Sequence, residues 1–303
     1  MNCLVTGGAG FIGSHIVDLL IDKGNDVKII DNLSTGQKKN INTEAEFIEQ
    51  DLRDYEKIHE HFKNVDCVFH VAALARILPS FEDPVKFHNV NVIGTLNCLM
   101  ASVKHNVNRF IYSASSSCYG NSFSIPTDEK NKIELLNPYA VQKYEGELYC
   151  KLYSMTYKIN TVILRYFNVY GPRSLNLNDK FNAYSSPVEI FLYQKHSGKK
   201  LTITWDGEQK RDYIHVYDVA KANLKAMQYQ NTSYDIFNIG SGKNHTVNEI
   251  ADIIGGDKTY LPKREGEARV TLANIDKARS KLKWSPTVDF HSGVKICEKL
   301  FEV

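Results

Sequence analysis

The sequence predicts an α/β fold: a doubly wound parallel sheet followed by a smaller α/β domain. Three observations carry that prediction. Short β-branched runs alternate with stretches of helical length through the first half, a glycine-rich turn joins the first run to the first helical stretch, and the rhythm changes near Phe167. Strands separated by helices of this length need right-handed crossovers, which wind a sheet in parallel.

The strand-like runs are Asn2 to Thr6, Val27 to Asp31, Glu46 to Gln50, Cys67 to Val71, Phe110 to Ser113 and Thr161 to Arg165. Between them, Ile12 to Lys23, Pro84 to His105 and Pro138 to Tyr157 have helical spacing. Beyond Phe167 the chain becomes polar and Asn-rich, and its elements shorten. The expected division is a first domain over 1–168, to which 212–241 returns, and a smaller second domain made mainly of 169–303.

Burying a core poses no difficulty for 303 residues of which 43% are hydrophobic. A formal charge of +2 gives no reason to expect nucleic acid or an anionic membrane as partner, so any anion must be caught locally. Six scattered cysteines (Cys3, Cys67, Cys98, Cys118, Cys150, Cys297) offer neither a zinc knuckle nor a CxxC pair, so no metal site is expected. With a strand starting at Asn2 and no apolar run of about 18 residues, the expectation is a reduced, soluble, cytoplasmic protein.

TGGAGFIG, Thr6 to Gly13, sets Gly7, Gly10 and Gly13 between a strand and a helix. That spacing permits a tight turn, close approach of backbone to a pyrophosphate, and phosphates facing the positive helix N-terminus. Asp31 ends the second strand about 20 residues on, where an acid can bond a ribose 2′-hydroxyl. A carboxylate there repels a 2′-phosphate, and Asn32 to Gly36 hold no arginine, so NAD rather than NADP is expected. Asp51 and Leu52, after the third strand, are placed to meet the adenine, although an Asp ending a strand serves equally as a turn residue.

YAVQK, Tyr139 to Lys143, opens a helix after Pro138 and puts both side chains on one face. A nearby ammonium and a cationic nicotinamide favour phenolate, which lets a tyrosine move a proton near neutral pH. The same spacing recurs at Tyr217 and Lys221, inside HVYDVAKANLKAM, where a plain amphipathic helix explains it. Tyr139 differs by following the fifth strand, at the end where open α/β sheets place ligands. Two dozen residues earlier lies YSASSSCYG, Tyr112 to Gly120, whose four serines are on composition alone a turn.

TGGAGFIG, DNLSTG, FHVAALARI, YSASSSCYG, NPYAVQKYEGELY, RYFNVYGPR, DGEQKRDYIHVYDVA and KLKWSPT, in this order, give a chain that resembles the extended short-chain dehydrogenase/reductase family almost end to end. Within it the chain is most similar to the UDP-hexose 4-epimerases, especially those acting on UDP-N-acetylglucosamine. The resemblance implies a Rossmann-type domain holding NAD, with Phe11, Ile12, Asn32 and Ala72 among its contacts, and a C-terminal domain holding the nucleotide sugar. It implies that Tyr139 takes the 4-hydroxyl proton while hydride leaves C4 for NAD, and that the 4-keto sugar turns before hydride returns to its other face. Lys143 then bonds the nicotinamide ribose and tunes Tyr139, and Ser115 bridges the sugar O4 and the tyrosine. Ser113 is structural, and Ser116 and Ser117 stand where related dehydratases carry acids. Neither hydroxyl has an acidity suited to elimination.

The same resemblance assigns the diphosphate or uridine to Arg211, Arg264 and Asn168, and a ribose contact to Glu267, each otherwise a surface charge or turn residue. Arginine's planar fork suits phosphate oxygens. The chain reads Thr204-Trp205-Asp206-Gly207 where many relatives have an aromatic before Gly-Asp-Gly, so Trp205 is left between stacking on uracil and packing. Thr271 falls where relatives limited to UDP-glucose and UDP-galactose carry a tyrosine, so its smallness implies room for a 2-acetamido group, unless it is merely a strand residue. A UDP-glucuronate 4-epimerase or decarboxylase, and a non-catalytic NAD-binding module, are the alternatives. Family dimers pair helices like Pro84 to His105 and Pro138 to Tyr157, so a homodimer is expected.

Overall fold

The computed structural model describes residues 1–175, 186–230, 233–263 and 266–301. Its main sheet has seven parallel strands: β1 (Asn2–Thr6), β2 (Asp26–Asp31), β3 (Glu46–Glu49), β4 (Cys67–His70), β5 (Arg109–Ser115), β6 (Asn160–Tyr166) and, far along the chain, Asp235–Ile239. They lie in the order Asp235–Ile239, β6, β5, β4, β1, β2, β3. The reversal at β1 is the signature of double winding, and Thr6 stands opposite both Ile30 and His70 there.

Alternation of side chains builds the two layers. In β1, Cys3 and Val5 join the core under the helices Phe11–Asp22 and Val216–Gln228, while Leu4 joins the opposite core under Gly94–Lys104 and Pro138–Tyr157. Phe69 and Val68 of β4, and Ile111 and Phe110 of β5, divide in the same way. Strands covered on both faces read as unbroken apolar runs, which is why these segments show little polar alternation.

After β6 a single residue, Phe167, separates the main sheet from β7 (Asn168–Tyr170), which belongs to a second sheet. That sheet orders Asn244–Thr246, Lys210–His215 and β7, and a two-stranded sheet pairs β8 (Leu201–Thr204) with Lys258–Leu261. A separate core binds these to the helices Pro187–His196, Val247–Ile254 and Phe290–Glu298. Phe191, Leu192, Ile203, Tyr213 and Ile250 are its buried centre.

One expected element differs. The stretch Pro84 to His105 is helical throughout, but a π turn over Asn89–Ile93 divides it into Pro84–His88 and Gly94–Lys104. One wide turn shifts the apolar pattern too little for periodicity to register. Its consequence is local: the amide of Asn91 is buried, accepts the Leu74 N–H (2.8 Å) and donates to the Leu74 carbonyl (3.0 Å) and to Gln142 Oε1 (3.2 Å).

Candidate active site

The carboxyl ends of β1, β2, β4, β5 and β6 open onto one cavity of about 660 Å³, closed on its far side by residues after β6. Parallel strands aim all their carboxyl ends the same way, so residues distant in sequence meet there. Gly7, Gly10, Phe11, Ile12 and Gly13 line it at the start of the Phe11–Asp22 helix. No acidic side chain occupies that helix's first turn, which leaves its N–H groups suited to an anion. Two glycines are obligatory here. Gly7 has φ +72° and a Cβ on it would lie 2.8 Å from the backbone of Ala72, while a Cβ on Gly13 would lie 2.1 Å from the Gly7 carbonyl oxygen.

Asp31 is buried at the end of β2, and burial raises its pKa. Its Oδ2 accepts from the Ala9 N–H (3.0 Å) and its Oδ1 from the Leu33 N–H (2.8 Å), bonds that favour the carboxylate against that burial. Asp51, beside Leu52, is gripped by Arg53 through Nε (3.0 Å) and Nη2 (2.7 Å), and these bonds hold its pKa well below the usual carboxylate range. Asn32 donates to the same carboxylate at 2.9 Å. Ala72 donates its N–H to the Thr6 carbonyl (3.1 Å), and with Asn32, Asp51 and Leu52 it lines the cavity. A backbone cradle that tolerates no Cβ, followed by a buried acid at the end of the second strand, fits an adenine dinucleotide without a 2′-phosphate.

Ser115, Tyr139 and Lys143 line the same cavity. Ser115 ends β5, and its Oγ accepts the Ser117 N–H (3.2 Å), capping the short turn Ser116–Tyr119. Asn137 caps the Pro138–Tyr157 helix by accepting the Ala140 N–H (2.8 Å), and Pro138 fills its first position. Tyr139 and Lys143 therefore leave the first two turns on one face. Lys143 is 3% exposed, and burial pulls its pKa down to about 8. Ser113 is buried, its Oγ 3.0 Å from the Tyr166 hydroxyl.

On the far side, Asn168, Arg211, Glu267 and Thr271 line the cavity. Arg211 pairs with Glu267 (Nη2 to Oε2, 3.4 Å) and donates through Nη1 to the Arg269 carbonyl (3.2 Å). The Thr271 hydroxyl accepts the Asp212 N–H (3.2 Å), and its own N–H donates to the Lys210 carbonyl (3.0 Å). Arg264 lies outside the described residues. Trp205 is not in the lining: it is half exposed, at φ +57°, with the Arg269 guanidinium 4.2 Å from its ring centre and Arg269 also paired to Asp206. The second Tyr-Lys pair is likewise remote, Tyr217 packing edge-on to His215 and Lys221 donating to Thr287 (2.7 Å).

Sequence reasoning passed over three residues. Ser80 is fully buried and its Oγ accepts the Tyr139 N–H (3.3 Å). Asn91 clamps the cavity-lining Leu74, and Arg76 lines the cavity at φ +104°. An asparagine three residues before a glycine inside an apolar helix was the one available signal, at Asn91 and Gly94. Among the described residues, His59, Glu60 and His105 form the one grouping with metal-ligand geometry. It lies outside the cavity lining, and the Lys104 ammonium stands 3.1 Å from His59 Nδ1, where it opposes a cation.

Residues 3–240 match the family model for the NAD dependent epimerase/dehydratase family. The chain belongs to that family. It is 44% identical over 302 residues to a putative UDP-glucose 4-epimerase of Methanocaldococcus jannaschii, covering 96% of this chain and 95% of that one. It also superposes on the UDP-glucose 4-epimerase of Thermotoga maritima, crystallised with UDP-glucose (TM-score 0.94, 38% identity, 100% and 99% coverage). A UDP-N-acetylglucosamine 4-epimerase of Methanobrevibacter ruminantium, in complex with UDP-N-acetylmuramic acid, is similar at TM-score 0.91 and 36% identity, covering 99% and 98%. This family member thus has the Rossmann-type fold of the solved epimerases, and NAD is its cofactor. No helix among the described residues is long and apolar enough to cross a membrane.

Proposed function

We propose that the chain interconverts UDP-hexoses epimeric at C4, accepting N-acetylated sugars as well as plain ones. What supports this most is the single cavity shared by Ser115, Tyr139 and Lys143 with the glycine cradle at one end and Arg211 at the other. A nucleotide sugar spanning from Arg211 to Tyr139 brings its C4 to the serine and tyrosine. NAD, when bound, accepts hydride from C4 and returns it.

The chain's own residues move the proton. Tyr139 takes it from the 4-hydroxyl, with Ser115 as the bridge, and gives it back after the keto sugar has turned; the Lys143 ammonium favours the phenolate while this happens. Ser116 and Ser117, also in the lining, offer no acid for elimination. Arg211 and Asn168 hold the diphosphate, Glu267 the uridine ribose, and Thr271 leaves space for the acetamido group. Residues 1–168 with 212–241 hold the cofactor, and 169–303 mainly the nucleotide sugar. Arg264 belongs to the same diphosphate set by its place in KREGE.

The deciding experiment mixes the purified protein, without added cofactor, separately with UDP-N-acetylglucosamine, UDP-glucose and UDP-glucuronate, and resolves products by NMR. Equal-mass C4 epimers of the first two are expected. A Tyr139→Phe variant that keeps full turnover would show the assignment wrong, and would favour a site that only binds NAD.

Arg76 favours a second reading. A guanidinium in the lining, at the N-cap of the Ile77–Glu82 helix and four residues before Ser80, which accepts the Tyr139 N–H, suits a carboxylate on the sugar. UDP-glucuronate turned over faster than the neutral sugars, with that preference lost in Arg76→Ala, would select it.

We also propose a homodimer through the outer faces of the helices Gly94–Lys104 and Pro138–Tyr157. Val141, Leu148, Leu152 and Met155 are exposed along one, and Met100 on the other. A stripe of this kind on a surface helix marks an interface. Sedimentation should give a dimer for the wild type and a monomer for Leu152→Glu.

A further inference from the structure

Serine turn and tyrosine helix come from different parts of the chain, and proton transfer between them requires their separation to be held closely. One buried side chain touches both. Arg165, near the end of β6, donates through Nε and Nη2 to the Glu147 carboxylate (3.0 and 2.6 Å) and through Nη1 to the Tyr119 hydroxyl (2.8 Å). Glu147 lies four residues beyond Lys143 and eight beyond Tyr139, on the same face of one helix. Tyr119 closes the turn that Ser115 caps. Having accepted from Arg165, its hydroxyl donates to Asn238 Oδ1 (2.7 Å), and Asn238 in turn donates to the Thr127 carbonyl (2.9 Å).

We infer that Arg165 is a positioning residue for the reaction, its guanidinium fork fixing the Ser115 turn against the Tyr139–Lys143 helix. This rests on the epimerase reading above. Arg165 and Glu147 are 2% and 1% exposed, and neither lines the cavity, so the fork acts on substrate only through the groups it holds. A buried ion pair is a poor source of stability, because apolar side chains of equal volume serve as well. The directional demand of three arms explains it better, since only a planar, multidentate cation meets carboxylate and phenol at once.

The fork also places a charge beside Lys143. Tyr139 shares its helix face with Lys143 by spacing, Cys150 lies near it on the same helix, and Tyr112 from β5 and His70 from β4 approach it from the sheet. Burial keeps the Cys150 thiol, the Tyr112 phenol and the His70 imidazole neutral; it also raises the Glu147 pKa, but the Arg165 bonds favour the carboxylate, which is the negative charge facing Lys143 while Tyr139 holds its proton.

The test compares wild type with Arg165→Lys, Glu147→Gln and the double variant Glu147→Gln/Arg165→Met, each reconstituted with NAD. Arg165→Lys is expected to lose about tenfold to a hundredfold in kcat with KM changed less than about threefold, as for reacting groups displaced by about an ångström. In Glu147→Gln the alkaline limb of kcat, and the titration of Lys143 followed by 13C NMR of its Cε, should both move to lower pH by about one unit. The neutral double variant should recover the thermal stability of the wild type but neither its kcat nor its limb.

Wild-type kcat and an unshifted limb in the double variant would overturn the inference, as would a Lys143 titration that Glu147→Gln leaves in place. Should Arg165→Lys fail to fold, the double variant carries the comparison. The NMR titration needs no turnover: if it moves while the wild type yields no epimer from any UDP-hexose, the epimerase reading fails and the coupling of the fork to Lys143 stands.

Discussion

The ammonium of Lys143 lies 4.5 Å from the ring centre of Tyr112, whose hydroxyl donates back to the Lys143 carbonyl at 3.2 Å. A lysine this buried is held against its desolvation. With its pKa drawn down by burial from 10.5 to about 8, the folded protein below pH 8 carries a cost of about 3 kcal/mol for keeping it charged. Lys143→Met is therefore expected to unfold at a higher temperature at pH 7 than the wild type, while epimerisation falls by a factor on the order of 100 or more. The sign follows from proton counting: between pH 8 and 10.5 the unfolded chain binds more protons at this residue, so wild-type stability rises with pH and the advantage of the methionine shrinks. Calorimetry at pH 7 and pH 9.5 checks both halves.

Tyr112 also explains Gly146. A Cβ there would lie 2.1 Å from the Tyr112 hydroxyl oxygen, so the helix bearing Tyr139 can sit against β5 only without a side chain at this point. Gly146→Ala should destabilise the protein by about 1–3 kcal/mol despite the better helix propensity of alanine. A urea midpoint at or above that of the wild type would contradict the steric argument.

Sugar choice should respond to Thr271. Thr271→Tyr is expected to lose turnover of UDP-N-acetylglucosamine by about tenfold or more while keeping UDP-glucose, since overfilling a subsite excludes the larger group. Thr271→Ser keeps the hydroxyl that accepts the Asp212 N–H (3.2 Å), so it should retain both activities. Equal losses on the two sugars in Thr271→Tyr would point to a damaged strand instead.

His70 offers a pH test apart from catalysis. It is buried between the hydroxyls of Thr6 and Thr95, each 2.8 Å from a ring nitrogen, and burial lowers its pKa to about 3. The unfolded chain takes up a proton at this residue below about pH 6.5, which the folded chain does not, so this contribution is complete above pH 6.5 and fades as pH falls. Between pH 6 and 4 the unfolding free energy of the wild type should drop about 1.4 kcal/mol per pH unit more steeply than that of His70→Asn, measured by urea titration at each pH.

Local features of the chain determined the layer order and the cofactor cradle. Gly7 and Gly13 are read from spacing because a tight turn and a close approach admit no Cβ, and β1, β4 and β5 from apolar runs because both faces of a parallel strand are covered. Tyr139 and Lys143 follow from helical spacing once Pro138 marks the helix start. Only the tertiary structure decided what these residues rest on. The π turn that aims Asn91 at Leu74, the removal of Trp205 from the cavity lining, and the Arg165 fork join residues 17 to 119 positions apart, such as Arg165 to Tyr119 and on to Asn238. No short-range period encodes such pairs, because they form when separate elements pack and satisfy each other's buried polar groups.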